Sequence, residues 1–267
     1  MVTVMNQRRE NPPQGSAAQR MFGSQAPVYA TSPVHVSDDS LDAIRRLAGG
    51  QSYGWTLDLG TGAGFTAFAL APQSGRVLAT DLTRPMLEQA RRIGRERQIT
   101  NLALSQNRAE ALPIASESMD LVTCRVAGHH FTNLEAALDE VRRVLKPGGA
   151  LVMADTLAPE DTGVADWMNH VELRRDFSHV RNRPESALDA LLMERQLNAR
   201  QREHARVYLK FNEWVARTAT PEDEVAALRR DFHHAPPPVR AAFQIQELPP
   251  DDFSFSWPCL IFRAEKQ

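Results

Sequence analysis

Trp55-Thr-Leu-Asp-Leu-Gly-Thr-Gly-Ala-Gly64 decides how this chain of 267 residues is read. Leu57 and Leu59 belong to a short apolar run with the character of a buried strand. Glycines at alternate positions then turn the chain into Phe65 to Ala71, an apolar segment that reads as a helix. Those glycines remove the Cβ atoms that would hold a ligand off the backbone, and the helix start offers free N–H groups. Asp81 follows 17 residues after Gly64, at the end of a second strand, Arg76-Val-Leu-Ala-Thr80. A carboxylate there can accept hydrogen bonds from both ribose hydroxyls of an adenosine ligand. The stretch reads as a nucleoside pocket.

The glycines alone do not choose the nucleoside, because Gly62-x-Gly64-x-x-Ala67 also satisfies a loose dinucleotide fingerprint. Asp58, two residues before Gly60, argues against NAD. A carboxylate at the mouth of the turn repels a pyrophosphate and suits a ligand carrying an ammonium and a sulfonium.

Five further stretches follow in order: Asp81-Leu-Thr-Arg-Pro-Met86, Ala109-Glu110-Ala-Leu-Pro113, Met119-Asp120-Leu-Val-Thr-Cys-Arg125, His129-His130-Phe131 and Leu145-Lys-Pro-Gly-Gly149. With Asp58-x-Gly60-x-Gly62-x-Gly64, their order and spacing resemble the class I S-adenosylmethionine-dependent methyltransferases. The likeness is to the group of the ubiquinone/menaquinone C-methyltransferases, and within it to small-molecule methyltransferases. It covers roughly residues 20–157 well and the remainder loosely.

The resemblance implies a doubly wound α/β fold, a mostly parallel sheet of seven strands whose last two close it as an antiparallel hairpin. It implies S-adenosyl-L-methionine as cofactor. Gly60, Thr61, Gly62 and Gly64 would line the methionine moiety, Asp58 would orient its ammonium directly or indirectly, and Asp81 would hold the ribose. Leu82 and Met86 would pack on the adenine, although ordinary helix packing explains Met86 equally well. Ala109 would serve the adenine ring through its N–H. Arg108 stands where family members often carry an aspartate for the adenine amino group, and it has no acceptor, so Glu110 or a water takes that contact. Arg125, after the fourth strand, joins the cofactor set. Tyr29 and His35 resemble an N-terminal flap over the cofactor; the bland reading is a tail.

Methyl transfer needs the acceptor held in line with the methyl carbon and any acceptor proton removed. His129 and His130 sit past the fourth strand, where an acceptor would lie, and a neutral imidazole is a natural base; fixing the loop is the competing role. His35, His170, His179, His233 and His234 are further candidates. Phe211-x-x-Trp214-x-x-Arg217 reads either as a wall of the acceptor site or as aromatic packing. No acidic cluster points to a metal.

Length fits one α/β domain with an elaboration. A net charge of −2 gives no reason to expect nucleic acid, and Cys124-Arg-Val-Ala-Gly128 lacks the Asp/Asn-Pro-Pro-aromatic motif of base methyltransferases. The two cysteines lack metal-ligand spacing and fit reduced thiols. No apolar run is long enough to insert stably in a membrane, and Asn11-Pro-Pro-Gln-Gly-Ser16 lacks a secretory apolar core, so a cytoplasmic protein is expected. Oligomeric state is not readable.

Residues 1–15 read as a disordered tail and 16–267 as one methyltransferase domain. Its parts are a core at about 40–157, an inserted helical lid at about 161–203, read as amphipathic helices with solvated charge faces and as a lid or side wall of the acceptor pocket, and C-terminal strands and helices at about 204–267. A short helix is expected over Ala17 to Phe22, and another over Ser40 to Ala48. Arg206 to Phe211 reads as a strand, and 221–232 as a helix capped by Thr220-Pro221. Pro258, within the alternating aromatics Phe253 to Phe262, predicts a bulge or unpaired stretch. The expected substrate is a small organic acceptor. Two alternatives stand beside it: C-methylation of a polyprenylated quinone precursor, and a cofactor-binding scaffold with another or a regulatory role.

Overall fold

The computed structural model describes residues 16–31 and 39–267; the expected tail 1–15 and His35 lie outside the described residues. Helix α1 (Ala17–Thr31) precedes α2 (Asp39–Ala48). The alternating core then runs β1 (Tyr53–Leu59), α3 (Phe65–Leu70), β2 (Ser74–Asp81), α4 (Arg84–Glu96), β3 (Leu102–Gln106), β4 (Met119–Arg125), α5 (Leu134–Val144) and β5 (Leu145–Thr156). Past it come α6 (Thr162–Arg175), α7 (Glu185–Glu194), β6 (Leu197–Lys210), α8 (Phe211–Arg217), α9 (Glu222–His233), α10 (Pro237–Phe243), β7 (Gln246–Leu248) and β8 (Asp252–Lys266).

Seven strands pair in the order β3-β2-β1-β4-β5-β8-β6, and the three-residue β7 adds an eighth strand against β8. β3, β2, β1, β4 and β5 are parallel, whereas β8 runs antiparallel to both β5 and β6. The expected mostly parallel α/β sheet is therefore present, with α8 to α10 and β7 separating the last long strands. Strand order reverses between β1 and β4, so the carboxyl ends of those strands open a crevice there.

Local chemistry accounts for the elements. Leu121, Val122 and Cys124 of β4 and Leu151 to Ala154 of β5 are all buried, as both faces of a parallel sheet are covered by helices. α5 buries Leu134, Ala137, Leu138, Val141 and Val144, one helical stripe, and Asn133 caps it by accepting from the Ala136 N–H at 2.9 Å. A separate aromatic core, including Phe211, Trp214, Phe232, Phe255 and Trp257, joins the C-terminal helices to β8. Phe211 and Trp214 are packing residues there, which decides between the two readings of that motif.

Three expectations change. α1 runs well beyond Phe22 and through Pro27, because Met21, Ala26 and Ala30 are buried on one side and Ala30 packs with Phe65 and Phe68. The segment 161–203 is helical only to Glu194, since Leu197 already starts β6, which also absorbs the strand expected from Arg206. Pro258 makes no bulge; it pairs with Arg206 in register, and the ladder irregularity lies between Ala199 and Gln201. The Pro258 carbonyl accepts from Leu157 N at 2.8 Å, so its donorless nitrogen faces the side where β5 has ended.

Candidate active site

The loop after β1 is held by the second strand. Thr61 N donates to Thr80 O at 2.9 Å, and Gly62 N donates to Asp81 Oδ2 at 2.9 Å, while Asp81 Oδ1 accepts from Thr83 N at 2.8 Å. Two glycines serve different ends. Gly62, at φ +53°, has open space where a Cβ would stand and lines a cavity of about 240 Å³. Gly64, at φ +95°, does not line it; a Cβ there would lie 2.5 Å from the Phe68 ring, so this glycine leaves room for the first turn of α3.

Asp58 stands behind the loop and not in the cavity. It is 1% exposed, with Oδ2 accepting from Thr61 Oγ1 at 2.6 Å and Oδ1 from Thr123 Oγ1 at 2.7 Å. Burial pushes its carboxyl up to about 6, against those hydrogen bonds and the charge of Arg125. Thr61, which lines the cavity, thus stands between Asp58 and that space.

The cavity brings together Gly60, Thr61, Gly62, Asp81, Leu82, Met86, Ala109, Glu110, Arg125 and His130. Glu110 is already engaged, with Oε1 accepting from Thr132 Oγ1 at 2.7 Å and Asn133 N at 3.3 Å. Arg108, on the same wall, donates to that Thr132 hydroxyl at 2.8 Å. Asn107, which the sequence did not single out, lines the cavity with a buried Nδ2 that has no partner. Arg125 donates from Nε to Thr66 Oγ1 at 3.0 Å, tying β4 to α3.

The two adjacent histidines part company. His129 turns from the cavity to the end of β5, its Nδ1 2.5 Å from Asp155 Oδ1 and its N–H donating to Asp155 Oδ2 at 3.0 Å. Burial pulls its imidazole down, but the Asp155 charge and hydrogen bond override this and raise it above its ordinary value. Burial likewise opposes the Asp155 charge, yet His129 holds that carboxyl below its ordinary range. His130 faces the cavity, where burial and the neighbouring His129 push it down to about 3.

Two further elements complete the wall, the first of them the helix expected from Ala17. α1 contributes Ala17, Ala18 and Phe22, and Gln19 donates from Nε2 to Leu82 O at 3.3 Å, so the chain before Phe22 covers the opening. Tyr29 lies in α1 by its backbone; its side chain is outside the described residues. The irregular segment between α6 and α7 contributes Phe177, Ser178, His179 and Val180. Its backbone is fixed by Val180 N and Arg181 N, which donate to His129 O at 2.9 and 3.2 Å. The sequence marked this segment only as part of the 161–203 insertion, read as a lid or side wall of the acceptor pocket, and named His179 among other histidines; it gave no sign that the wall is the irregular stretch between two helices. Among the described residues, no group of three or more His, Cys, Asp or Glu is placed to hold a metal ion, and no helix is long and apolar enough to cross a membrane.

The sequence matches the methyltransferase-domain family over residues 57–153. It is 32% identical over 224 residues to the uncharacterized methyltransferase YcgJ of Bacillus subtilis, across 84% of this chain and 88% of that protein. The solved structure of YcgJ is similar at a TM-score of 0.83 and 31% identity, over 85% of this chain and 98% of that one. A putative methyltransferase from Bacillus halodurans gives a TM-score of 0.81 at 29% identity, over 86% and 99%. Similarity to the quinone C-methyltransferase UbiE of Cupriavidus taiwanensis is 38% but spans only 37% of this chain and 42% of that protein. The chain belongs to the class I S-adenosylmethionine-dependent methyltransferases.

Proposed function

We propose that the cavity binds S-adenosylmethionine and that a small organic molecule receives the methyl group in the space beside His130. The observation that carries this reading is the Gly62–Asp81 hydrogen bond, which sets an open glycine and a carboxylate side by side on the cavity wall. The residues fit the cofactor. Gly62 leaves room for its methionine portion, Asp81 is placed to accept from ribose hydroxyls, Leu82 and Met86 offer apolar contact to adenine, and Asn107 Nδ2 supplies a donor still without a partner. Ala109, Glu110, Thr61 and Arg125 line the same space, with Glu110 spent on the Thr132 turn.

The bound cofactor would supply an electrophilic methyl on sulfur. The chain's own residues then orient and shield. Ala17, Ala18 and Phe22 cover the opening and exclude water, as closing elements generally do. His130, kept neutral by burial, presents an imidazole to the acceptor; a pKa of about 3 makes it a poor general base, so it orients more than it deprotonates. His129 acts only through it, held behind by Asp155.

The quinone-precursor reading has less support, because the matches to such enzymes are partial: 37% of this chain for the C-methyltransferase of Cupriavidus taiwanensis and 62% for the demethylmenaquinone methyltransferase of Deinococcus radiodurans, against 84% for YcgJ. Calorimetric titration with S-adenosylhomocysteine, followed by its detected release from S-adenosylmethionine with a panel of small acceptors, tests the proposal. Binding with turnover supports it. Absence of binding would sink it, and binding without turnover on any acceptor would favour the scaffold alternative.

A further inference from the structure

The irregular segment between α6 and α7 turns tightly around Asp176. Asp176 N donates to Glu172 O at 2.8 Å, and Asp176 O accepts from His179 N at 2.9 Å. Asp176 Oδ1 accepts from Ser178 N at 2.8 Å and from the Ser178 hydroxyl at 2.6 Å, which spends the one hydrogen that hydroxyl has. Ser178 is buried, and this turn fixes both of its oxygens.

Those two oxygens decide where His130 carries its hydrogen. Its Nδ1 lies 3.2 Å from the Ser178 carbonyl oxygen and 3.2 Å from the hydroxyl oxygen. A carbonyl only accepts, and the hydroxyl has given its hydrogen to Asp176, so Nδ1 must donate. In the neutral ring Nε2 is then a lone pair. Burial and the neighbouring His129 keep the ring neutral, pushed down to about 3, against the charge of Asp176. Among the described residues Nε2 has no hydrogen-bond partner, and unlike His179 Nδ1 it is not sealed from contact. The ring is half-buried and borders the main cavity, not the small cleft behind His129, so that lone pair is open to the cavity. Donation from Nδ1 to oxygens tied to a carboxylate strengthens Nε2 as an acceptor.

We propose, resting on the methyl-transfer reading above, that Ser178, tied to Asp176, is a positioning residue that holds His130 as its Nδ1–H tautomer, and that His130 Nε2 accepts a hydrogen bond from the molecule to be methylated. That molecule is then an alcohol, phenol or amine with an apolar body, and not a carboxylate or phosphate. A donor satisfies the lone pair, whereas an anion brings only lone pairs of its own. Phe22 meets His130 edge-on with ring centroids 4.9 Å apart, and with Phe177 on the same wall it supplies contact for the apolar body.

The test uses the full chain saturated with S-adenosylhomocysteine and four matched probes: 4-ethylphenol, 4-ethylaniline, 4-ethylanisole and 4-ethylbenzoate. Titration should show the phenol or the aniline binding about ten-fold tighter than the anisole and the benzoate, and which of the two prevails tells hydroxyl from amine. Nitrogen-15 spectra of wild-type protein labelled in the imidazoles read the positioning without any variant. His130 should be the Nδ1–H tautomer, with an Nε2 resonance that moves on adding 4-ethylphenol and stays on adding 4-ethylanisole. Ser178→Ala should shift the His130 Nδ1 resonance and reduce the donor preference several-fold, and Ser178→Thr should restore both. An Nε2–H tautomer, an unmoved Nδ1 resonance in Ser178→Ala, or an Nε2 lone pair already taken up by S-adenosylhomocysteine would overturn the assignment. So would a preference for the benzoate, equal binding of all four probes, or no binding of the phenol and the aniline. Failure of S-adenosylhomocysteine itself to bind would instead strike the underlying reading.

Discussion

Gly62 donates its backbone N–H to Asp81 Oδ2 at 2.9 Å, joining the loop after the first strand to the acid that ends the second. Asp81 thus shapes the loop as well as facing the cavity. Asp81→Ala removes a ribose acceptor and frees the Gly62 and Thr83 N–H groups. Affinity for S-adenosylhomocysteine should fall by about 1–3 kcal/mol with the fold retained. Calorimetry on a variant with unchanged circular dichroism checks this, and undiminished affinity would remove Asp81 from the site.

Gly62 and Gly64 should respond oppositely to the same change. Gly62→Ala meets open space but puts a methyl into the cavity, so it should cost about 1–2 kcal/mol of stability for its left-handed backbone and abolish much of the cofactor binding. Gly64→Ala drives a Cβ into the Phe68 ring and should destabilise by about 2–5 kcal/mol, with binding lost only through unfolding. Paired denaturant and ligand titrations separate the two. Equal stability losses would contradict the packing role of Gly64.

Much of this half of the site was legible because its chemistry is local: glycines, Asp58 and Asp81 all sit at strand ends, which apolar runs announce. The other half was not. His179, Asn169 and Asp176 meet through an irregular segment whose order comes from buried hydrogen bonds, a pattern without period. The reach of α1 past Pro27 was hidden for a different reason. A proline reads as a stop, and only tertiary burial of Ala26 and Ala30 carries the helix onward. Asp155 was masked by the apolar run it ends.

Asp58 should make stability depend on pH in an identifiable window. Its folded pKa, about 6, lies above the ordinary 3.8, so the native state holds the proton more tightly than the unfolded chain. The associated stability is complete below about pH 4 and is lost as pH rises through 6. Relative to Asp58→Asn, the wild type should lose about 2 kcal/mol between pH 4.5 and 7.5. Denaturant midpoints of both proteins at pH 4.5 and 7.5 give the difference, and a flat difference would deny the burial of the charge.

The His129–Asp155 pair carries the opposite pair of signs. His129, raised, contributes stability that is present below its unfolded pKa and lost as pH climbs through the folded value; Asp155, lowered, contributes above its unfolded pKa and loses it as pH falls. The pair is therefore effective in the window between them. Asp155→Asn should bring the His129 titration below its wild-type position and release part of the depression on His130, whose second cause is the neighbouring His129 charge. Titration of the imidazole resonances reads both shifts, and an unmoved His129 would dissolve the pair.

α1 should tighten when the cofactor site fills. Ala17, Ala18 and Phe22 line the cavity, and Gln19 holds the helix to Leu82 through a 3.3 Å hydrogen bond between half-buried partners. The helix lies at the end of the described chain, where local opening is generally frequent. A ligand under the helix adds contacts that exist only when it is closed, and must slow that opening. Hydrogen exchange with and without S-adenosylhomocysteine should show protection appearing in residues 17–27 as well as 57–64 and 81–86. Phe22→Ala should weaken the α1 protection while leaving that at 57–64 in place. Protection confined to 57–64 and 81–86 in the wild type would make α1 a static wall, and closure would have to come from residues 176–184 alone.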